Sequence, residues 1–172
     1  VRRIRLVRQP EGWYSLQSDP VPALRDVMDE PCELSAQRVS GWQALAWSGR
    51  AYELELDIEW DAATDVGVAV GCSEDDSRYT SIGVTAGTIY VDRGPCDLEW
   101  CSFLPYWRAE APIDPSSRWV HLRVLVDMQS VEVFVDAGHT VLSQQVYFMD
   151  GDEGLRLYSY EGEATFSNIV WR

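Results

Sequence analysis

Lysine is missing from this 172-residue chain, Asn168 is its only asparagine, and His121 and His139 are its only histidines. All 14 basic residues are therefore arginines, a bias of genome composition rather than of function, and they face 28 acidic residues for a net charge of −14. A surface this acidic repels a phosphate backbone, and no cluster of arginines forms a phosphate track, so nucleic acid is excluded as a partner. No stretch approaches the ~20 apolar residues of a membrane-spanning helix, and the basic polar face of an interfacial helix is also lacking, which argues against a membrane partner. Zinc needs close pairs of Cys or His, and no second pair stands at ligand spacing. Gly-x-Ser-x-Gly, Gly-x-Gly-x-x-Gly and Walker loops are absent, which removes triad hydrolysis and nucleotide cofactors, and no cofactor is expected. The chain opens on Val1 with no charged-then-apolar leader behind it, so it reads as a piece of something longer whose targeting signal has been cut away.

What is present is enough for one self-supporting core: 46% hydrophobic residues, 12% aromatic, and a length at which roughly two thirds of the unfolded surface becomes buried. Residues 1–31 stand apart. Arg2, Arg3, Arg5 and Arg8 give a basic start, Pro10, Pro20 and Pro22 punctuate it, and Pro22 suits the first turn of a short helix through Ala23, Leu24, Arg25 and Val27. This is a connector with one small helix. From about Leu34 the pattern changes to period two, most cleanly in Tyr52-Glu53-Leu54-Glu55-Leu56-Asp57-Ile58-Glu59-Trp60. Similar alternation recurs at 66–70, 89–93, 120–127, 131–136, 155–158 and 165–171, with Gly, Asp, Ser or Pro between. Many short strands so spaced predict an all-β fold over 32–172, a two-sheet antiparallel β-sandwich of jelly-roll or concanavalin-like type. Tyr52, Leu54, Leu56, Ile58 and Trp60 are then one inner face, and Glu53, Glu55, Asp57 and Glu59 a solvent face neutralised by a neighbour such as the strand with His121 and Arg123.

Several clusters invite chemistry. Glu55-Leu56-Asp57-Ile58-Glu59 resembles the Glu-x-Asp-x-Glu strand of family 16 glucanases, where two glutamates act as nucleophile and acid/base, so Glu55 and Glu59 define one enzymatic alternative. Glu74-Asp75-Asp76 and Asp150-Gly151-Asp152-Glu153-Gly154 supply oxygen ligands of the kind calcium takes, but without the twelve-residue calcium loop they read as solvated turns. Cys96 and Cys101 are close enough to clip a loop, and Cys32 and Cys72 pair if the fold brings them together; free buried thiols are the alternative. Trp100, Phe103, Tyr106 and Trp107 lie in an irregular stretch with Pro105. Aromatic faces beside polar groups suit a neutral sugar, and packing of the loop onto the core is the competing explanation.

The second half of the chain supplies a family resemblance. Tyr79-Thr80-Ser81-Ile82-Gly83-Val84, Ile89-Tyr90-Val91-Asp92-Arg93, the run from Leu122 to Val135 with Ser130-Val131-Glu132-Val133-Phe134, and Glu161-Gly162-Glu163-Ala164-Thr165-Phe166 follow in an order that resembles the C-terminal β-sandwich module of glycoside hydrolase family 32. That family holds β-fructofuranosidases such as invertases, inulinases and levanases. Residues 1–25, with Gln17 and Pro20-Val21-Pro22-Ala23-Leu24, are similar to the segment by which its five-bladed propeller passes into the sandwich.

The resemblance implies a non-catalytic module, because the family's catalytic carboxylates lie in propeller motifs (Asn-Asp-Pro, Arg-Asp-Pro and Glu-Cys) that this chain lacks. It implies as partners an N-terminal propeller of the same polypeptide and a β-fructan or fructosyl sugar. The related family 66 carbohydrate-binding modules bind terminal fructose of levan, which makes a free-standing levan- or inulin-binding module the main alternative. Carried over by motif, the sugar-binding candidates are Asp92, Arg93, Asp127 and Glu132, with Trp100 and Trp107 as an aromatic wall. Arg93 and Glu132 have a competing role as a buried ion pair between strands.

Overall fold

The structure, a computed structural model, describes residues 2–96 and 106–172. Thirteen strands occur among them: β1 (Arg2–Arg8), β2 (Tyr14–Pro20), β3 (Cys32–Leu34), β4 (Gln37–Ser48), β5 (Tyr52–Trp60), β6 (Asp65–Cys72), β7 (Thr80–Thr85), β8 (Thr88–Asp92), β9 (Arg108–Pro112), β10 (Trp119–Asp127), β11 (Ser130–Val135), β12 (Thr140–Gln145) and β13 (Gly154–Trp171). The small helix of the connector is a 3-10 turn, Pro22–Val27, with proline in its first turn.

β1 and β2 form a separate two-stranded hairpin, and the other strands hydrogen-bond in the order β12-β11-β10-β5-β13-β6-β7-β8-β9, with β3 and β4 also on β13. The two layers arise because β13 changes partners along its length. Its first part, 154–160, pairs with β6, and its second, 164–171, with β5. The turnover falls at Glu161, whose φ is 55°, and β4 crosses alongside it with Gly41 at φ 80°. Two stretches that alternate separately in the sequence are thus one bent strand, and the two-sheet sandwich follows from that bend.

The inner faces interlock as the alternation requires. Leu54, Leu56 and Ile58 are fully buried, and their register on β10 places Leu54 opposite Val124, Leu56 opposite Leu122 and Ile58 opposite Val120. Val66, Val68, Val70, Ile82, Val91, Leu155 and Leu157 fill the same core from the other sheet. The connector contains more structure than its prolines suggest. Arg3-Ile4-Arg5-Leu6 alternates in period two, and Gly12, at φ 95°, supplies the left-handed residue of the turn before β2. The alternation is the signal that identifies this hairpin.

Candidate functional site

The outer face of β5 departs from a solvated acidic face. Glu53 has no exposed surface at all, and its carboxylate accepts hydrogen bonds from three guanidiniums: Arg25 at 2.9 Å, Arg123 at 2.5 Å and Arg172 at 2.8 Å. These come from the connector turn, from β10 and from the end of β13. Burial by itself raises the Glu53 carboxyl, but Arg123 and then Arg25 outweigh it and hold the group below the usual carboxylate range. Glu55 pairs with Arg25 at 2.9 Å, and Asp57 takes His121 at 2.7 Å and Asn168 at 2.6 Å. The expected neighbour strand is therefore correct, but the face is covered: the connector folds across it and leaves Glu53 no route to water.

This arrangement does not make the family 16 pair. Glu55 is neutralised in the arginine network and lines a small cavity with His121 and Arg123, whereas Glu59 borders a different cleft with Arg38 and Arg118. A retaining pair must flank one scissile bond, and these two glutamates face separate spaces.

The outer face of the other sheet is aromatic. Small residues of β6 and β7, Gly67, Ala69 and Gly83, form a floor on which Tyr158 and Tyr90 lie, so close that a β-carbon at position 83 would sit 2.2 Å from the Tyr158 hydroxyl. Tyr158 lies under Trp42 with ring centroids 5.5 Å apart. Tyr90 donates to Asp65 at 2.8 Å, which leaves its oxygen to accept from the Tyr158 hydroxyl at 2.9 Å. Burial raises the Asp65 carboxyl above its ordinary value, more than the Tyr90 hydrogen bond and Arg108 lower it. Cys72 at the edge of this cluster is pushed up to about 12 by burial.

The five sugar-binding candidates among the described residues separate into two places. Asp127 and Glu132 flank the β10–β11 turn and border one cleft of about 430 Å³, whose far wall is Leu24, Val27 and Met28 of the connector. Asp92, Arg93 and Trp107 meet at the β8–β9 edge instead: Asp92 accepts from Arg108 at 3.4 Å, and the Arg93 amide bonds to the Trp107 carbonyl at 3.0 Å. Trp100 lies outside the described residues, as does Cys101. The Arg93–Glu132 ion pair does not form. Glu132 is on the outer face of β11 and pairs with Arg2 of the hairpin at 2.8 Å, while Arg93 follows β8 in the other sheet and its guanidinium lies 5.0 Å from the centre of the Tyr147 ring.

Of the two acidic turns, Glu74-Asp75-Asp76 is exposed as a solvated turn should be, whereas the second is anchored by a buried carboxylate. Asp152 is buried and pairs with Arg78 at 3.0 Å, and the same guanidinium reaches the carbonyls of Cys96 and Tyr147, so it ties three loops together. Asp75 accepts from Ser73 and Ser77, which together hold its carboxyl at about 2. Among the described residues no group of three His, Cys, Asp or Glu side chains is arranged to hold a metal. Cys32, Cys72 and Cys96 carry free thiols, Cys32 exposed and the other two buried.

A resemblance built on scattered strand motifs becomes a family assignment on one observation: the family described as Glycosyl hydrolases family 32 C terminal matches residues 26–172. The chain belongs to that family. As a family 32 C-terminal domain it is similar to the levanbiose-producing levanase of Bacillus subtilis, 38% identical over 172 residues, which is 99% of this chain and 33% of that protein. It is 23% identical to the sucrose-6-phosphate hydrolase of Escherichia coli over 94% of its length and 32% of that enzyme. In fold it matches the exo-inulinase of Aspergillus awamori with a TM-score of 0.82 at 20% identity, over 99% of this chain and 34% of that one. Fructan 1-exohydrolase IIa of Cichorium intybus, solved with 1-kestose, gives 0.75 at 14% identity, over 98% of this chain and 39% of that one. The family 32 domain thus spans about a third of the length of the relatives it matches.

Proposed function

We propose that this domain is the non-catalytic β-sandwich of a glycosidase acting on β-fructans or sucrose, that it stabilises the enzyme's catalytic propeller, and that it holds fructosyl residues. Residues 1–31 are the connector from the propeller and residues 32–172 the module. The observation that carries this reading is the β1–β2 hairpin. Directly opposed residues of an antiparallel pair share a face, and Leu6 faces Leu16 while Ile4 is two positions along. These side chains are 64%, 63% and 66% exposed, and Tyr14 and Trp13 extend the patch to the tip. A two-stranded ribbon is marginal in water, and a contiguous apolar patch on one marks a surface that another body covers. The body that fits is the propeller of the same polypeptide, since the hairpin lies in the segment that resembles the family's propeller-to-sandwich passage.

The sugar-binding part rests on the cleft beside Asp127 and Glu132. Its walls combine apolar side chains with three carboxylates, Asp29, Asp127 and Glu132, and with Arg172, and that mixture suits a ring whose C–H face stacks while its hydroxyls bond to charges. The levanase relative supplies the substrate class.

The test is made in two arms. In the first, the domain is added to a separately produced family 32 propeller; the propeller's melting temperature is expected to rise, and Leu6→Asp with Leu16→Asp to remove the rise. No change with the unaltered domain argues against the accessory role. In the second, levan, inulin and fructose are titrated into the domain alone. Retention that is lost in Asp127→Asn or Glu132→Gln supports the cleft, and tight binding without any effect on a propeller favours the free-standing binding module. Neither arm is expected to yield turnover of sucrose, inulin or levan, because a glycosidase needs two carboxylates flanking one bond and, among the described residues, Glu55 and Glu59 face separate spaces.

A further inference from the structure

Where the hairpin meets the sandwich, four guanidiniums face one pocket. Arg3 and Arg5 of β1, Arg25 of the connector turn and Arg123 of β10 line a space of about 310 Å³, and its remaining walls are Pro20, Pro22 and a single carboxylate, Asp19. In a chain of net charge −14 this is a local excess of positive charge. The pairing inside the pocket leaves that excess uncancelled. Arg3 and Arg5 share Asp19 at 3.5 and 2.5 Å, and Arg25, Arg123 and Arg172 share Glu53, with Glu55 also taken by Arg25 and Arg172, so that five guanidiniums meet three carboxylates. Arg123 also has a buried Nε with no hydrogen-bond partner, a donor that a folded protein rarely leaves unused.

Guanidinium groups present paired N–H donors in a fork that matches the oxygens of phosphate and carboxylate. The prolines, which offer no N–H, and the scarcity of acceptors make the pocket unsuited to a cation or a neutral sugar. We propose that this pocket is an oxyanion-binding site, formed jointly by the hairpin and the sandwich, so that the bound anion fixes the angle between them. Asp19 occupies part of the site as an internal competitor, holding Arg3 and Arg5 in place until an external oxyanion shares them. The inference is independent of any fructan in the Asp127 cleft, which lies on the other side of the connector turn.

The experiment is thermal unfolding of the 172-residue chain against inorganic phosphate, acetate and sodium chloride at equal ionic strength, with affinities from calorimetry. Matching the ionic strength removes general screening. Phosphate is expected to raise the melting temperature where chloride does not. A response to phosphate alone assigns a phosphoryl-type dianion, and an equal response to acetate assigns a carboxylate, free or from a neighbouring domain. Arg5→Gln, which alters an exposed pair and leaves the core intact, is expected to weaken phosphate about tenfold. Asp19→Asn is expected to tighten it several-fold by removing the competitor, an outcome that a purely structural ion pair does not produce. Arg38→Gln, remote from the pocket and paired only with the exposed Glu163, serves as control. Chloride and phosphate acting alike, or Asp19→Asn weakening the response, overturns the proposal.

Discussion

The two outer faces of this sandwich are both covered, by opposite means. On the β5–β10–β11 side the covering is ionic: Glu53 under three arginines, Glu55 on Arg25, Asp57 on His121. On the β6–β7–β8 side it is aromatic, with Tyr158 and Tyr90 laid over glycine and Trp42 stacked above. Charges on the first face need partners from distant segments, since a desolvated carboxylate is tolerated only when paired. Rings on the second need space, which β6 provides by placing Gly67 and Ala69 where larger side chains would stand. The first face is therefore sensitive to removal of a partner and the second to addition of an atom.

The largest expected effect tests the ionic side. Glu53→Gln leaves three guanidiniums around a neutral amide and is expected to cost about 3–5 kcal/mol in urea unfolding, the scale of breaking a buried pair. A cost as small as that of a surface substitution would mean that the three arginines reach solvent without it. The core beneath gives a reference, with Leu56→Ala expected to cost about 2–5 kcal/mol through the cavity it leaves. On the aromatic side Gly83→Ala is expected to cost about 1–3 kcal/mol, because the new methyl group meets two hydroxyls that stacking and hydrogen bonds hold in place. Gly83→Ala with Tyr158→Phe is expected to recover part of that loss.

Acid should divide the faces more finely. Glu53 is held below its ordinary range, so its stabilising contribution is complete above the unfolded-state value and is lost as pH falls through the folded one. Asp65 is held above its range, so its contribution is complete below the unfolded-state value and is lost as pH rises through the folded one. Urea midpoints measured across the acid range are expected to fall less steeply towards low pH in Glu53→Gln than in the parent, and Asp65→Asn is expected to remove the opposing slope. Matching profiles for the two variants would show that the faces do not differ in this way. The smallest effect belongs to neither face: Glu163→Gln, at the exposed pair with Arg38, is expected to change stability by less than about 1 kcal/mol.

Period two in residues 52–60 identifies the strand, its inner row and the neighbour that carries His121 and Arg123, because those depend on side-chain direction alone. What lies upon the outer row is decided by where Arg25 and Arg172 end up, and local alternation carries no record of that. β4 is illegible for a related reason. It crosses between sheets at Gly41, so neither half keeps one face inward for long enough to show a period. Of the binding candidates, Asp127 and Glu132 come together because a tight turn separates them by five positions in sequence. Arg93 and Glu132, joined only by lying in strand-like segments, fall in different layers. The Arg3 to Leu6 alternation is short, and the prolines and arginines around it have the composition of a linker.

The three partners of Glu53 stand 28, 70 and 119 positions away along the chain. Closing such loops is entropically expensive, and the cluster is complete only when the connector turn, β10 and the end of β13 have all arrived. We expect the ionic cover, which needs all three segments at once, to form in the last stages of folding, after the barrier has been crossed. Interactions absent from the transition state govern how fast a protein comes apart, while leaving its rate of assembly almost unchanged. In a chevron plot Glu53→Gln should accordingly raise the unfolding limb and leave the refolding limb in place, so that the arginine cluster acts as a kinetic lock on a sandwich that forms without it.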